Sequence, residues 1–229
     1  MKFIVIGLGI FGSSVATKLT RYGNEVIGVD SQMGKVEALK DKITHVVCLD
    51  STDPQAVTNL PLKDTDVVIV SIGEDEGANI KTTALMKQLK ARRIISRAIS
   101  PLHEMILEAM GIDEILRPEE ETAERWAKKL NIRGVIDSFE LIGDYNIIEA
   151  IVPKRFFGKK LEEIGLRRNY HVLVLSTIQQ VQTRTLFGTP KQESVIRELA
   201  SGGTILNDGD KFILYGKIKD IRRLLEENG

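Results

Sequence analysis

The sequence predicts an α/β protein in which a doubly wound parallel sheet is followed by a smaller C-terminal α+β lobe. Three observations predict it. The first half of the 229-residue chain alternates short β-branched runs with amphipathic stretches, the pattern of a parallel sheet covered by helices on both faces. A glycine-rich turn joins the first apolar run to the first helical stretch. Beyond residue 134 the pattern changes to hairpin-like alternation, which sets expected domains at 1–134 and 135–229.

In chain order, strands are expected at Phe3–Ile6, Glu25–Val29, His45–Leu49, Val67–Ser71, Arg93–Ala98 and Glu114–Leu116. Helix signals separate them. Ser13–Leu19 follows the glycine turn and closes near Gly23, Asp53-Pro54 supplies an N-cap and first turn, Asn79–Leu89 is amphipathic, and Ser100-Pro101 opens a helix that stops at Gly111. Pro118 starts a further helix, Glu119–Leu130, whose first turn carries three glutamates that complement the helix dipole. Ala123, Trp126, Ala127 and Leu130 share one face of it, so that stripe is expected to be buried, either against its own domain or against a neighbouring subunit.

In the second part, Phe139–Ile142 and Ile147–Val152 flank a Gly143-Asp144 turn. A short helix around Leu161–Ile164, strands at Val172–Thr177 and Lys211–Tyr215, a turn at Asn207–Asp210 and a closing helix, Ile218–Glu227, complete the lobe. Gln182–Ser201 is ambiguous, with Gln192–Ala200 read as an added helix.

Composition narrows the function classes. Apolar residues make up 42% and charged residues 28%, the balance of an ordinary globular protein. Lys+Arg and Asp+Glu both count 32, so no global basic field draws the chain to nucleic acid. The single cysteine, Cys48, lies in an apolar run and is expected to be buried; alone it cannot form a disulfide framework or a cysteine-based metal site within one chain. No signal sequence is recognisable and no run approaches the ~20 apolar residues of a membrane span, so a cytoplasmic location is expected.

The strongest chemical signal is Gly7-Leu8-Gly9-Ile10-Phe11-Gly12, because it lies between an expected strand and an expected helix. In a Rossmann-type domain Gly7 permits the tight turn, Gly9 lets the backbone approach a diphosphate, and Gly12 allows close helix–strand contact. The helix N-terminus then holds the phosphates. Asp30, with Ser31 beside it, ends the second strand about 20 residues beyond the loop, where a carboxylate accepts from ribose hydroxyls and disfavours a 2′-phosphate. Asp30 also suits an N-cap, and the two roles are compatible. Asp50-Ser51-Thr52 and Ser71-Ile72-Gly73 fall on the same carboxyl edge of the sheet, where ligands of such folds gather. The three histidines, His45, His103 and His171, lie in separate elements and form no recognisable catalytic or metal-binding group.

Taken together, Met1–Gly12 with Asp30, Asp50-Ser51-Thr52, Val67–Gly73, Arg97, Ala109–Asp113 and Arg117-Pro118-Glu119 resemble an RCK domain of the Ktr/Trk type. Phe139–Val152, Gly158–Tyr170 and the segment from Asp208 onward resemble that family's C-terminal lobe. The resemblance implies a cytoplasmic regulatory subunit, without catalytic residues, of a membrane-embedded potassium channel or transporter. It implies homo-oligomeric dimers assembling into a ring whose shape follows bound adenine nucleotide. It places Gly7, Gly9, Ile10, Phe11 and Gly12 at the phosphates, Asp30 and Ser31 at the ribose, Asp50 and Ser51 at the adenine, and Ile72 and Gly73 at the border of the nucleotide. Arg97 would face phosphate. Glu119 matches a position that helps hold a divalent cation between subunits, and it equally serves as a first-turn glutamate stabilising its own helix. Where ATP-responsive relatives carry arginine in the glycine loop, this chain has Ile10, so NAD or NADH rivals ATP or ADP as the ligand. Leu166–Tyr170 roughly matches the region that binds cyclic di-AMP in some relatives. Two rivals remain at this stage: a small NAD-dependent oxidoreductase, and a ring-forming scaffold that binds nothing.

Overall fold

Along the first strand, β1 (Lys2–Ile6), side chains alternate between two apolar layers. Ile4 and Ile6 enter a cluster with Val29, Val57, Val68, Val70 and Met86, while Val5 enters another with Leu8, Ala16, Val26, Val36 and Ile69. A strand buried on both faces is what an all-parallel sheet requires, and this is why the run Phe3–Ile6 carries no polar residue. The computed structural model describes residues 1–184 and 190–227.

The chain continues through α1 (Ile10–Arg21), β2 (Glu25–Asp30), α2 (Met33–Glu37), β3 (His45–Cys48), α3 (Pro54–Val57), β4 (Val67–Val70), α4 (Glu76–Gln88), β5 (Ile94–Arg97), α5 (Pro101–Ala109), β6 (Glu114–Leu116) and α6 (Pro118–Asn131). The six strands form one parallel sheet in the order β3-β2-β1-β4-β5-β6, with Ile6 opposite Val29 on one side and Val70 on the other. Strand order therefore reverses between β1 and β4. Caps match the sequence signals: Asp53 accepts from the Gln55 amide, and Ser100 accepts from the His103 amide. The five-residue α2 is too short for its periodicity to be read from sequence.

The second part runs through β7 (Val135–Glu140), β8 (Tyr145–Ile151), α7 (Leu161–Ile164), α8 (Leu166–Tyr170), β9 (Leu173–Arg184), β10 (Pro190–Leu199), β11 (Lys211–Lys217) and α9 (Ile218–Glu226). Its antiparallel sheet has the order β10-β9-β11-β8-β7. Asn146, Ile148 and Ala150 alternate inward along β8, and Ile221, Leu224 and Leu225 of α9 close the same core.

Two expectations are corrected, and one left open is narrowed. Gln192–Ala200 is not a helix: Pro190–Leu199 is a strand paired antiparallel with β9, because the β-branched pair Val195-Ile196 finds cross-strand partners in Gln179 and Ile178. The part of that ambiguous stretch spanning 185–189 lies outside the described residues. Cys48 is exposed, since β3 is an edge strand, and its thiol donates to the Ser31 carbonyl at 3.5 Å. Of the two alternatives for the Ala123/Trp126/Ala127/Leu130 face, its own unit does not cover it: Trp126 is 54% and Leu130 78% exposed, with Lys129 lying 4.6 Å from the Trp126 ring centroid.

The chain divides into two compact units, Met1–Pro118 and Glu119–Gly229. Helix α6 thus groups with the second unit, to which Arg125 and Lys128 tie it by ion pairs with Asp137 and Glu140 of β7. The pattern change in the sequence falls later, after residue 134, because the strand periodicity begins only once α6 has ended. Among the described residues no helix is long and apolar enough to cross a membrane.

Candidate functional site

The reversal of strand order opens a crevice at the carboxyl ends of β1 and β4, the place where ligands of open parallel sheets bind. Gly7 leaves β1 with φ +93°, a conformation that L side chains rarely adopt, and its amide donates to the Val29 carbonyl at 2.8 Å. The three motif glycines differ in what a Cβ would meet. At Gly7 it would lie 2.8 Å from the Ile72 nitrogen, and at Gly12 only 1.9 Å from the Gly7 carbonyl oxygen and 2.4 Å from Ser71 Oγ. At Gly9 it would meet nothing within 4 Å. Two glycines are therefore demanded by the protein's own packing, and the third faces open space.

Helix α1 starts at this open face. Gly9 is its N-cap and provides no side chain to bond the first-turn amides, and no acidic residue lies in that turn. Helices α4, α5 and α9 all carry an acidic residue there. The positive end of α1 is thus left without internal compensation, as an anion site requires. Ile10 stands 95% exposed on this turn and Phe11 is half-buried.

Neighbouring elements hold the loop in place. The Asp30 carboxylate accepts from the Leu8 amide at 2.7 Å and the Gln32 amide at 2.9 Å, with Lys35 Nζ 4.0 Å away. Asp30 is 8% exposed, so it orders the loop and the start of the next segment, while the N-cap of α2 is Gln32. Each carboxylate oxygen keeps further acceptor capacity for a hydroxyl. Ser71 donates from Oγ to the Gly7 carbonyl at 2.7 Å and to that of Ile6 at 3.0 Å, tying β4 to the turn.

On the opposite side of the crevice, a Cβ on Gly73 would fall 2.2 Å from Arg97 Nη1, and the Arg97 guanidinium lies 6.0 Å from the Phe11 ring centroid. Gly7, Phe11, Gly12, Ile72, Gly73 and Arg97 are accordingly brought together. Asp50 and Ser51 sit at the end of β3 in different roles. Asp50 is exposed and accepts from the Thr52 amide and hydroxyl, both at 2.8 Å; the amide bond first, then the hydroxyl, hold its carboxyl below the usual range, with Lys81 adding to the effect. Ser51 is buried and shares a 2.9 Å hydrogen bond with Thr82. Ser31 is exposed beside Asp30. Glu119 belongs to the second unit, exposed in the first turn of α6. Among the described residues no group of three or more His, Cys, Asp or Glu side chains is placed to hold a metal ion.

Sequence reasoning missed a buried polar layer on α4. Asn79, Thr82 and Thr83 are fully buried along with Met86, at spacings that place them on one face toward the sheet. The available signal was that a helix flanked by apolar strands carries polar residues where its apolar stripe should run. His103 was also set aside: it is buried, its Nδ1 accepts from the Ile99 amide at 3.3 Å, and burial lowers its pKa despite Glu76 at 3.9 Å.

An open parallel sheet with a glycine turn at its switch point, followed by an antiparallel α+β unit, defines the class of this protein as a dinucleotide-fold domain with a C-terminal appendage. Residues 3–118 match the TrkA-N domain family. Over 222 residues the chain is 32% identical to Ktr system potassium uptake protein C of Bacillus subtilis (strain 168), covering 97% of this chain and 95% of that protein. It is 30% identical over 226 residues to Ktr system potassium uptake protein A of the same organism, covering 99% and 96%. Among solved structures, the GsuK channel bound to NAD has the same fold, with a TM-score of 0.64 at 17% identity over 98% of this chain, which spans 39% of that one. The chain belongs to the TrkA-N family and is an RCK-domain protein of the Ktr/Trk regulatory type.

Proposed function

We propose that this chain is a cytoplasmic gating subunit that binds an adenine nucleotide at the glycine loop and controls a membrane-embedded potassium channel or transporter. The observation that carries the reading is the open face at Gly9, set on the uncapped N-terminus of α1, in a chain whose full-length relatives are potassium uptake proteins. In this reading the amides of the loop and of Ile10, Phe11 and Gly12 receive the diphosphate. Arg97 adds a positive charge from β5. Asp30, already ordered by two amides, offers its remaining acceptor capacity to the ribose, with Ser31 alongside. Asp50 and Ser51 border the adenine, and Ile72 and Gly73 form the floor. ATP, ADP, NAD and NADH all supply the diphosphate.

Copies of the chain assemble as dimers into a ring, and nucleotide biases the ring between two shapes. A ligand shifts such an equilibrium only through its differential affinity for the two states. Glu119 contributes to a divalent-cation site completed by a second subunit. In the second unit an open groove of about 470 Å³, lined by Arg167, Arg168, Leu166, Val174 and Ser201 among others, suits cyclic di-AMP. These guanidinium groups match its phosphates in charge.

The test is thermal unfolding with ATP, ADP, NAD and NADH. Ligand at 100 times its dissociation constant adds about 2.7 kcal/mol of stability, a shift easily read. At least one nucleotide is expected to stabilise the protein without being turned over. No shift with any of them favours a scaffold, and oxidation of NADH by a carbonyl substrate would reinstate the oxidoreductase reading.

A further inference from the structure

The ladder between β4 and β5 stops where Val70 lies opposite Ser96. Gly73 follows β4, Arg97 ends β5, and past the ladder the side chain of Asn79 bridges the two segments. Its Nδ2 donates to the Ile72 carbonyl at 2.9 Å and to the Arg97 carbonyl at 3.1 Å. Its Oδ1 accepts from Ser96 Oγ at 3.0 Å and from Thr83 Oγ1 at 3.3 Å, and those two hydroxyls lie 3.0 Å apart. Asn79 is fully buried, and all four of its hydrogen-bonding positions are used. The amide has one workable orientation, since a flip would turn Oδ1 against two carbonyl oxygens.

We propose that Asn79 is a positioning residue for the phosphate end of the nucleotide site, holding the strand ends of β4 and β5 so that Arg97 lies between Gly73 and Phe11. This rests on the nucleotide reading above. The fit that it maintains is close: a single Cβ on Gly73 would meet the guanidinium at 2.2 Å, so a shift of either strand end moves the Arg97 charge relative to the glycine loop. In a low-dielectric setting a charged hydrogen bond is sensitive to such a shift. A role confined to packing α4 on the sheet would lower stability and leave ligand preference untouched. A role through Arg97 makes a sharper prediction, because Arg97 faces phosphate and adenosine has none.

The experiment measures ADP and adenosine affinities by calorimetry on the full chain, for wild type, Asn79→Ala and the double variant Thr83→Val/Ser96→Ala. The double variant keeps Asn79 but removes both hydroxyls that fix its amide. Asn79→Ala is expected to lose tenfold or more in ADP affinity while adenosine affinity stays within twofold. The double variant is expected to lower the ADP-to-adenosine ratio by threefold or more, and it keeps the question decidable if Asn79→Ala does not fold. A folded variant whose ratio equals that of wild type overturns the proposal. Wild type that binds neither ligand removes the nucleotide reading itself, a result separate from any behaviour of the variants.

Discussion

Gly9→Ala separates binding from stability more cleanly than any other change at the glycine loop. The backbone there has φ −66° and ψ −167°, which alanine adopts freely, and the added Cβ meets nothing within 4 Å. Two small effects on stability oppose each other. Alanine reduces the freedom of the unfolded chain, a gain of about 0.4–1 kcal/mol, and it is a poorer N-cap than glycine by a similar amount. The net change is expected within about 0.5 kcal/mol. In the complex, however, the methyl group occupies the space through which a diphosphate would approach the amides. Losing one charge-assisted hydrogen bond costs about 1.5–3 kcal/mol, which is on the order of 10- to 100-fold in affinity. Urea unfolding measures the first quantity, and calorimetry with ADP and NAD the second. Undiminished affinity in a stably folded Gly9→Ala protein would refute the assignment of the diphosphate to this loop.

Gly12→Ala should behave in the opposite way: a Cβ 1.9 Å from the Gly7 carbonyl forces the turn apart, at a cost of about 1–3 kcal/mol, and an unchanged urea midpoint would show that the helix has room to move. Asp30→Ala should weaken nucleotide binding and also destabilise the fold by about 1.5–3 kcal/mol, since it leaves the Leu8 amide without its carboxylate; a purely ligand-facing Asp30 would leave the melting temperature alone. Burial holds the His103 pKa below its ordinary 6.5, so the unfolded chain takes up a proton before the folded one does. Stability from this group is intact above pH 6.5 and falls as pH drops from there toward the lowered folded value; His103→Gln should flatten that slope, and an unaltered slope in pH-dependent unfolding would discount the residue. Ile10→Arg, at a side chain 95% exposed, should leave stability within about 0.5 kcal/mol while raising ATP affinity relative to ADP by about tenfold, and an unmoved ratio would place the terminal phosphate elsewhere.

The parallel sheet was legible because its central strands are buried on both faces, so Phe3–Ile6 and Val67–Val70 read as uninterrupted apolar runs, and because Gly7, Gly9 and Gly12 mark one strand–helix junction. The second lobe was less legible. Its strands carry polar residues on the outer face, and in Gln192–Ala200 helix-forming residues outnumber the β-branched pair Val195-Ile196; pairing with β9 decided the outcome. The edge position of β3, which exposes Cys48, follows from strand order and not from any local feature of His45–Leu49. At the site, the motif residues could be named but not their mechanics. That Asp30 bonds Leu8, or that Ser71 bonds Gly7, depends on contacts between residues far apart in sequence. The polar face of α4 was written plainly in Asn79, Thr82 and Thr83, yet its meaning required knowing which strand ends it meets.

Those same long-range contacts bear on how a ligand here would act. Asp30 fixes the loop from β2, Ser71 fixes it from the end of β4, and Gly12 leaves no slack behind it, so the cradle proposed for the phosphates is ordered by the protein's own contacts. A preformed cradle supplies affinity at little ordering cost. It supplies no bias, because a ligand held equally in two states shifts nothing, and moving a 1:99 equilibrium to 99:1 takes about 10⁴-fold preference. The preference must therefore arise where contacts can differ between states. Within this site the segment carrying Gly73 and the end of β5 carrying Arg97 are the candidates: they lie past the end of the β4–β5 ladder, where the Asn79 side chain bridges the Ile72 and Arg97 carbonyls.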